Sequence, residues 1–202
     1  MRAASSTTLT SSANPSTFGP AGDVHRCRDL GRWHPTGNVT FSSDGNPLGT
    51  AVLTGGKATL TTSALPAGSR TMTANYAGNP TVLSSTGALT QTVNTAATTT
   101  TLISSTSPSL PGHAVTFTAT VTSPAGTPTG TVTFASDGNA LGTVGLSGGQ
   151  ATLTTSALSV GDHAIAAGYT GDANFVASST TLAFTVDGIT YASRSVLISS
   201  SR

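Results

Sequence analysis

Residues 130–157 read GTVTFASDGNALGTVGLSGGQATLTTSA, and residues 37–64 read GNVTFSSDGNPLGTAVLTGGKATLTTSA. The matched phenylalanines, Phe41 and Phe134, set a period of 93 residues. Leu9 with Leu102, Pro15 with Pro108, Gly55-Gly56 with Gly148-Gly149, Tyr76 with Tyr169 and Val93 with Val186 keep that offset without a gap. A period of this length is the size of a small domain that can just bury a core of its own, so the 202 residues divide into two tandem copies of one module. Duplication without an evident catalytic group points to a scaffold or binding function.

The second copy shows the strand pattern most plainly. In AVTFTATVT, Val115, Phe117, Ala119 and Val121 alternate with Thr116, Thr118, Thr120 and Thr122. At a period of two this sends one set to a core and the other toward water. Val132 and Phe134 continue the pattern, Asp137-Gly138 supplies a tight hairpin into residues 140–144, and Gly148-Gly149 makes the next turn. Ala151 and Leu153 mark a further strand, Ile165, Ala167 and Tyr169 another inward row, and Leu182, Phe184 and Val186 the last. With residues 99–103 as the opening strand, about seven short strands separated by turn signals predict an all-β, two-sheet sandwich. The expected divisions are 1–95 for module one, 96–188 for module two and 189–202 for a disordered or truncated tail. The join at residues 93–97 holds no Gly or Pro, which predicts a pair with limited bending.

Composition narrows the function classes. Charged residues make up 7% of the chain and the formal net charge is +1, so there is no basic field to hold nucleic acid or an anionic membrane. The single cysteine, Cys27, has no partner for an internal disulfide, so each module depends on packing. No apolar run is long enough for a signal peptide or a membrane span of roughly 18 residues. Module one begins almost at once, which suggests that Met1 lies inside a longer gene.

The ordered series TTTTLISSTSPS, VTFTATVTS, GTPTGTVTF with its Asp-Gly turn, LSGGQATLTTSAL and GDHAIAAGYTGDANFVASS resembles the bacterial immunoglobulin-like repeats of group 3, found in tandem in secreted and cell-surface proteins. The resemblance covers nearly all of module two and about two thirds of module one. It implies an immunoglobulin-like sandwich outside the cell, acting as a spacer or adhesion module, and it carries over no catalytic, cofactor-binding or metal-binding residue.

Module one departs from its twin in one stretch, from Gly22 to His34. Opposite VTFTATVTSPAGT stands GDVHRCRDLGRWH, with the only Cys, the only Trp (Trp33) and two of the four His. His25, Cys27 and His34, with Asp23 or Asp29, are candidate metal ligands by residue type. The genetic code offers a different origin. Shifting the frame by one base allows Gly22 to become Val, Asp23 Thr, Val24 Phe, His25 Thr, Arg26 Ala, Arg28 Val, Asp29 Thr, Leu30 Ser, Arg32 Ala and His34 Thr, and requires Trp33 to become Gly. That restores the twin's sequence except opposite Thr120 and Pro124. A pair of compensating frameshifts, real or from a sequencing error, accounts for so long a run better than a metal site does, and resequencing codons 19–36 checks it. Three inward side chains are then lost from a central strand, each worth roughly 1.5–3 kcal/mol. Arg and Asp fall near core positions. Module one is expected to fold poorly or to pack this stretch outside the sandwich.

The remaining polar candidates are few. Asp172 and Asn174 could offer oxygens to calcium, but Asn79 and Thr81 stand there in the first copy, which favours a turn closed by side-chain hydrogen bonds. Asp44 and Asp137 read as hairpin residues. His163 aligns with Arg70 and so is not a repeated feature or a member of a Ser-His-Asp set. Tyr76 and Tyr169 close an inward row with the hydroxyl near the rim, where carbohydrate stacking is the alternative role. The paired glycines lack the Lys-Ser/Thr of a phosphate loop. Asn38-Val39-Thr40 fits the glycosylation sequon but lies inside an expected strand.

No cofactor and no enzymatic activity are expected. The expected role is a structural spacer in an extracellular bacterial protein, with neighbouring domains of a longer chain as its partners. An adhesin module for glycan or surface protein, or an accessory domain of an extracellular hydrolase, are the alternatives.

Overall fold

The structure, a computed structural model, describes residues 2–19, 23–29 and 35–188, with the backbone alone over 23–29. Every regular element among them is a strand. The first unit contains β1 (Thr7–Ser11), β2 (Ser16–Thr17), β3 (Asp23–Asp29), β4 (Asn38–Ser43), β5 (Asn46–Val52), β6 (Lys57–Thr62), β7 (Gly68–Tyr76) and β8 (Ser85–Asn94). One sheet has the order β1-β3-β6 and the other β2-β8-β7-β4-β5. The second unit contains β9 (Thr99–Ser104), β10 (Val115–Thr122), β11 (Thr131–Ser136), β12 (Asn139–Gly145), β13 (Gln150–Thr155), β14 (Gly161–Tyr169) and β15 (Ser178–Val186), in sheets β9-β10-β13 and β12-β11-β14-β15.

Alternation explains the second core. Val115, Phe117, Ala119 and Val121 of β10 are all buried, as are Val132 and Phe134 of β11 and Ile165, Ala167 and Tyr169 of β14. The rings of Phe117 and Phe184 meet across the two sheets edge to face, with centroids 5.2 Å apart at 80°. Such a pair adds roughly 0.5–1.5 kcal/mol to the burial of two large side chains. Asp137 and Gly138 carry φ of 53° and 83°, and Asp44 and Gly45 carry 50° and 82°. These are the left-handed pairs that a two-residue hairpin needs to match the twist of its strands.

The first core repeats most of these positions. Leu9, Val39, Phe41, Ala58, Ala74, Tyr76 and Val93 are buried, with Met72 in the place of Ile165. At the place of Phe184 stands Gln91, fully buried. Its Nε2 donates to the carbonyls of Ala13 (2.8 Å) and Thr92 (3.1 Å) and to Ser16 Oγ (3.2 Å), while its Oε1 has no hydrogen-bond partner. A buried acceptor left in that state costs roughly 1–3 kcal/mol.

The aberrant stretch corrects one expectation. Residues 23–29 are not packed outside the sandwich but form β3, the middle strand of its sheet, antiparallel to β1 on one side and β6 on the other. Ladder bonds use main-chain groups that every residue here possesses, so two well-patterned neighbours can recruit a strand whose side chains do not alternate. The offset is corrected as well. In the second unit Phe117 opposes Leu153 and Ala119 opposes Ala151. In the first, His25 opposes Leu60 and Cys27 opposes Ala58. Leu60 and Ala58 keep the 93-residue offset, so β3 runs one residue out of step with it. A one-residue slip exchanges the two faces of a strand. It takes Arg26 off the register position of Ala119, which Cys27 occupies instead. The expected tail at 189–202 lies outside the described residues.

Candidate functional site

The polar residues singled out by the sequence gather at corners of each sandwich. At the β11–β12 turn the left-handed Asp137 points its carboxylate back over β14. Oδ1 accepts the Ala164 amide at 2.8 Å and Oδ2 faces His163 Nδ1 at 2.7 Å. The other ring nitrogen, Nε2, lies 2.8 Å from the Ser159 carbonyl, and the Ser136 hydroxyl reaches Asp137 Oδ2 at 3.1 Å and His163 Nδ1 at 3.3 Å. The amide of Ala164, then the ring of His163, holds the Asp137 carboxyl below its usual range. The Ser159 carbonyl, then Asp137, pushes the His163 imidazole upward.

Arg70 does the same work in the first unit, which corrects the expectation that His163 has no repeated role. Asp44 Oδ1 accepts the Thr71 amide at 2.8 Å, and Arg70 reaches Asp44 Oδ2 at 3.4 Å. The same guanidinium donates to the carbonyls of Pro66 (3.1 Å) and Ala67. The amide of Thr71 is the main cause that lowers the Asp44 carboxyl. In each unit, then, an aspartate of the hairpin, a cation 26 residues later and a carbonyl of the preceding loop form one clasp. The paired charges at equal spacing were visible in the sequence; that one turn lies over the other strand was not.

Structure thus brings Ser136, His163 and Asp137 together, yet not in the order of a hydrolase triad. A triad needs serine on one ring nitrogen and aspartate on the other, so that the ring can pass a proton between them. Both Ser136 and Asp137 sit on Nδ1, Nε2 is taken by a backbone carbonyl, and Ser136 is buried.

Each tyrosine forms a second repeated corner. Tyr76 Oη donates to the Thr36 carbonyl at 3.0 Å and Tyr169 Oη to the Thr129 carbonyl at 2.7 Å. Both residues are only 2% exposed, so neither ring offers a face to a sugar. Asp172 Oδ1 accepts the amides of Asn174 (2.8 Å) and Phe175 (2.9 Å). The uncharged Asn79 Oδ1 does the same for Thr81 (2.9 Å) and Val82 (2.7 Å). In both copies the same oxygen accepts two backbone amides, the bonding of a turn closed by its side chain.

At both glycine pairs the turn closes through backbone bonds, Thr54 to Lys57 and Ser147 to Gln150, each 2.8 Å. Asn38 is exposed at the start of β4. The side chains of Asp23, His25, Cys27, Asp29 and His34, the candidate metal set, lie outside the described residues. Among the described residues no three His, Cys, Asp or Glu cluster as a metal site, and no helix is long and apolar enough to cross a membrane.

Two sheets per unit, antiparallel but for the short β2–β8 pairing, and a buried corner tyrosine define an immunoglobulin-like module. The profile of the bacterial Ig-like domain (group 3) matches residues 2–94 and again 100–187, and the chain belongs to that family. No curated protein matches it. Among solved structures, the fibronectin(III)-like modules of Clostridium thermocellum CbhA are similar, with 16% identity, 90% of this chain and 94% of that chain covered, and a TM-score of 0.41. The full ectodomain (Ig1–Ig3) of mouse nectin-like molecule 4 shares 14% identity over 95% of this chain and 66% of that one, with a TM-score of 0.38. A chimeric titin Z1Z2 shares 16% identity over 91% and 99%, with a TM-score of 0.34.

Proposed function

We propose that this chain is a non-enzymatic structural module that acts as a spacer in an extracellular or cell-surface bacterial protein. One observation carries the reading: the repeated polar side chains, at Asp44 and Asp137, Tyr76 and Tyr169, and Asn79 and Asp172, bond to the backbone of their own unit. Duplication has preserved what shapes the sandwich. The grouping of Ser136, His163 and Asp137 serves the same end. Neighbouring domains of a longer chain are the natural partners of such a module, with no call on nucleic acid.

Antibodies raised against the chain should label intact bacteria that express it, and mild protease treatment of the cells should remove the label. Label that appears only after lysis would overturn the location. The chain screened against glycan arrays and surface proteins should bind none at micromolar concentration, and saturable binding would replace the spacer with an adhesin.

A further inference from the structure

The two clasps share a geometry but not a chemistry: one holds an imidazole, the other a guanidinium. His163 has a side chain 9% exposed, held between two groups that can only accept, the Asp137 carboxylate and the Ser159 carbonyl. To bond both, each ring nitrogen must carry a proton, so the clasp as built contains an imidazolium. A neutral ring can keep one of the two bonds. The structure already holds the alternative partner for the other nitrogen: the Ser136 hydroxyl, 3.3 Å from Nδ1, now donates to Asp137 and can turn to donate to Nδ1 instead.

We propose that Ser136, Asp137 and His163 form a pH-operated latch of the second unit, closed in acid by the imidazolium and loosened at higher pH when the Ser136 hydroxyl takes the place of the carboxylate on Nδ1. Closed, it ties the β11–β12 turn and the loop at Ser159 to the first residues of β14. Open, the ring still holds Ser159, and Asp137 keeps only its backbone contact to Ala164. This goes beyond the spacer role, since it gives the clasp of the second module a response to its surroundings. The matching clasp of the first unit holds a guanidinium, Arg70, in place of the imidazole.

The surroundings of the ring favour the closed state. From the β11–β12 turn it faces Asp137, and on its own strand Asp162 lies beside it; both negative charges favour the imidazolium. Thr185 of β15 bonds Asp162 at 2.7 Å, and Phe184 of β15 lies opposite His163 in the ladder. The Ser159 carbonyl is the largest influence in the same direction. A histidine whose folded-state value is raised contributes stability that is complete below its unfolded value and is lost as pH rises through the folded value. The second unit is therefore tightest in mildly acid surroundings, where Asp137 is still ionised, and loosens as pH rises through the raised His163 value.

The test is an NMR titration of the isotope-labelled full chain between about pH 5 and 8. Both ring nitrogens of His163 should be protonated on the acid side. The ring and the Ala164 amide should share one midpoint, above the usual imidazole value. Asp137→Asn keeps a residue that tolerates the left-handed corner and should lower that midpoint. His163→Arg, which copies Arg70, should abolish the response of the Ala164 amide. A wild-type midpoint at or below the usual value overturns the latch even if a variant fails to fold. So does a midpoint unmoved by Asp137→Asn, or an Ala164 amide that still titrates in His163→Arg.

Discussion

β10 and β3 occupy the same place in their units, and only one of them was written for it. β10 alternates valine, phenylalanine and alanine with threonine, and its inward set is buried to a residue. β3 runs DVHRCRD between equally well-patterned neighbours and still pairs along both edges, one residue out of step. Pairing is therefore a property of the neighbours as much as of the strand, whereas a dry core is a property of its own side chains. The second sheet of the first unit carries a related difference, since Gln91 stands where Phe184 meets Phe117.

The largest effect expected from this difference is in stability. Hydrogen exchange on the full chain should find the core amides of β4 and β7 opening at lower free energy than those of β11 and β14. Replacing residues 22–34 by VTFTATVTSPAGT should close the gap by roughly 1.5–3 kcal/mol for each of three restored apolar side chains. Equal protection of the two units before the replacement would break the comparison. The converse change, Phe117→Ala, removes a fully buried ring and its partner contact and should cost the second unit about 3–5 kcal/mol while leaving the first unaltered. Urea unfolding followed by NMR, unit by unit, checks both.

How much of this was legible follows from what each residue needs. Val115 to Val121 announce a strand and its inward face because period two is written in the residues themselves. Asp137-Gly138 announces a hairpin because few other pairs accept its backbone angles. The register of β3 was not legible: its side chains specify no face, and the partners that hold it are Leu9 and Ala58, remote in the chain. The clasp was half legible. Asp44 with Arg70 and Asp137 with His163 repeat an opposite-charge spacing, but arginine and histidine at one aligned position read as a mismatch. The carbonyls of Thr36 and Thr129, which receive the tyrosines, carry no sequence signal at all.

Those tyrosines give a smaller effect that should be equal in the two units. Tyr76→Phe and Tyr169→Phe each remove one hydrogen bond to a carbonyl and keep the buried ring, so each should cost about 0.5–1.5 kcal/mol. Lying in different units, the two changes should add in the double variant. A markedly larger loss at Tyr169 would show that the 2.7 Å bond does more than its 3.0 Å counterpart.

The smallest effect separates the units by pH. Both hairpin aspartates have their carboxyls lowered, chiefly by a backbone amide, Thr71 for Asp44 and Ala164 for Asp137. A lowered carboxyl contributes stability that is present above its unfolded value and lost as pH falls through the folded one, so both units should weaken together on the acid limb, below about pH 4. On the neutral side the clasp of the second unit holds a raised histidine, and the stability that it supplies should decline as pH rises through that value. Asp44→Asn should therefore remove part of the acid limb of the first unit without creating any change near neutrality. Asp137→Asn should flatten both limbs of the second. Unit-resolved unfolding midpoints at several pH values measure this, and a neutral limb of the second unit that His163→Arg leaves unchanged would show that the exchange of Arg70 for His163 has no thermodynamic consequence.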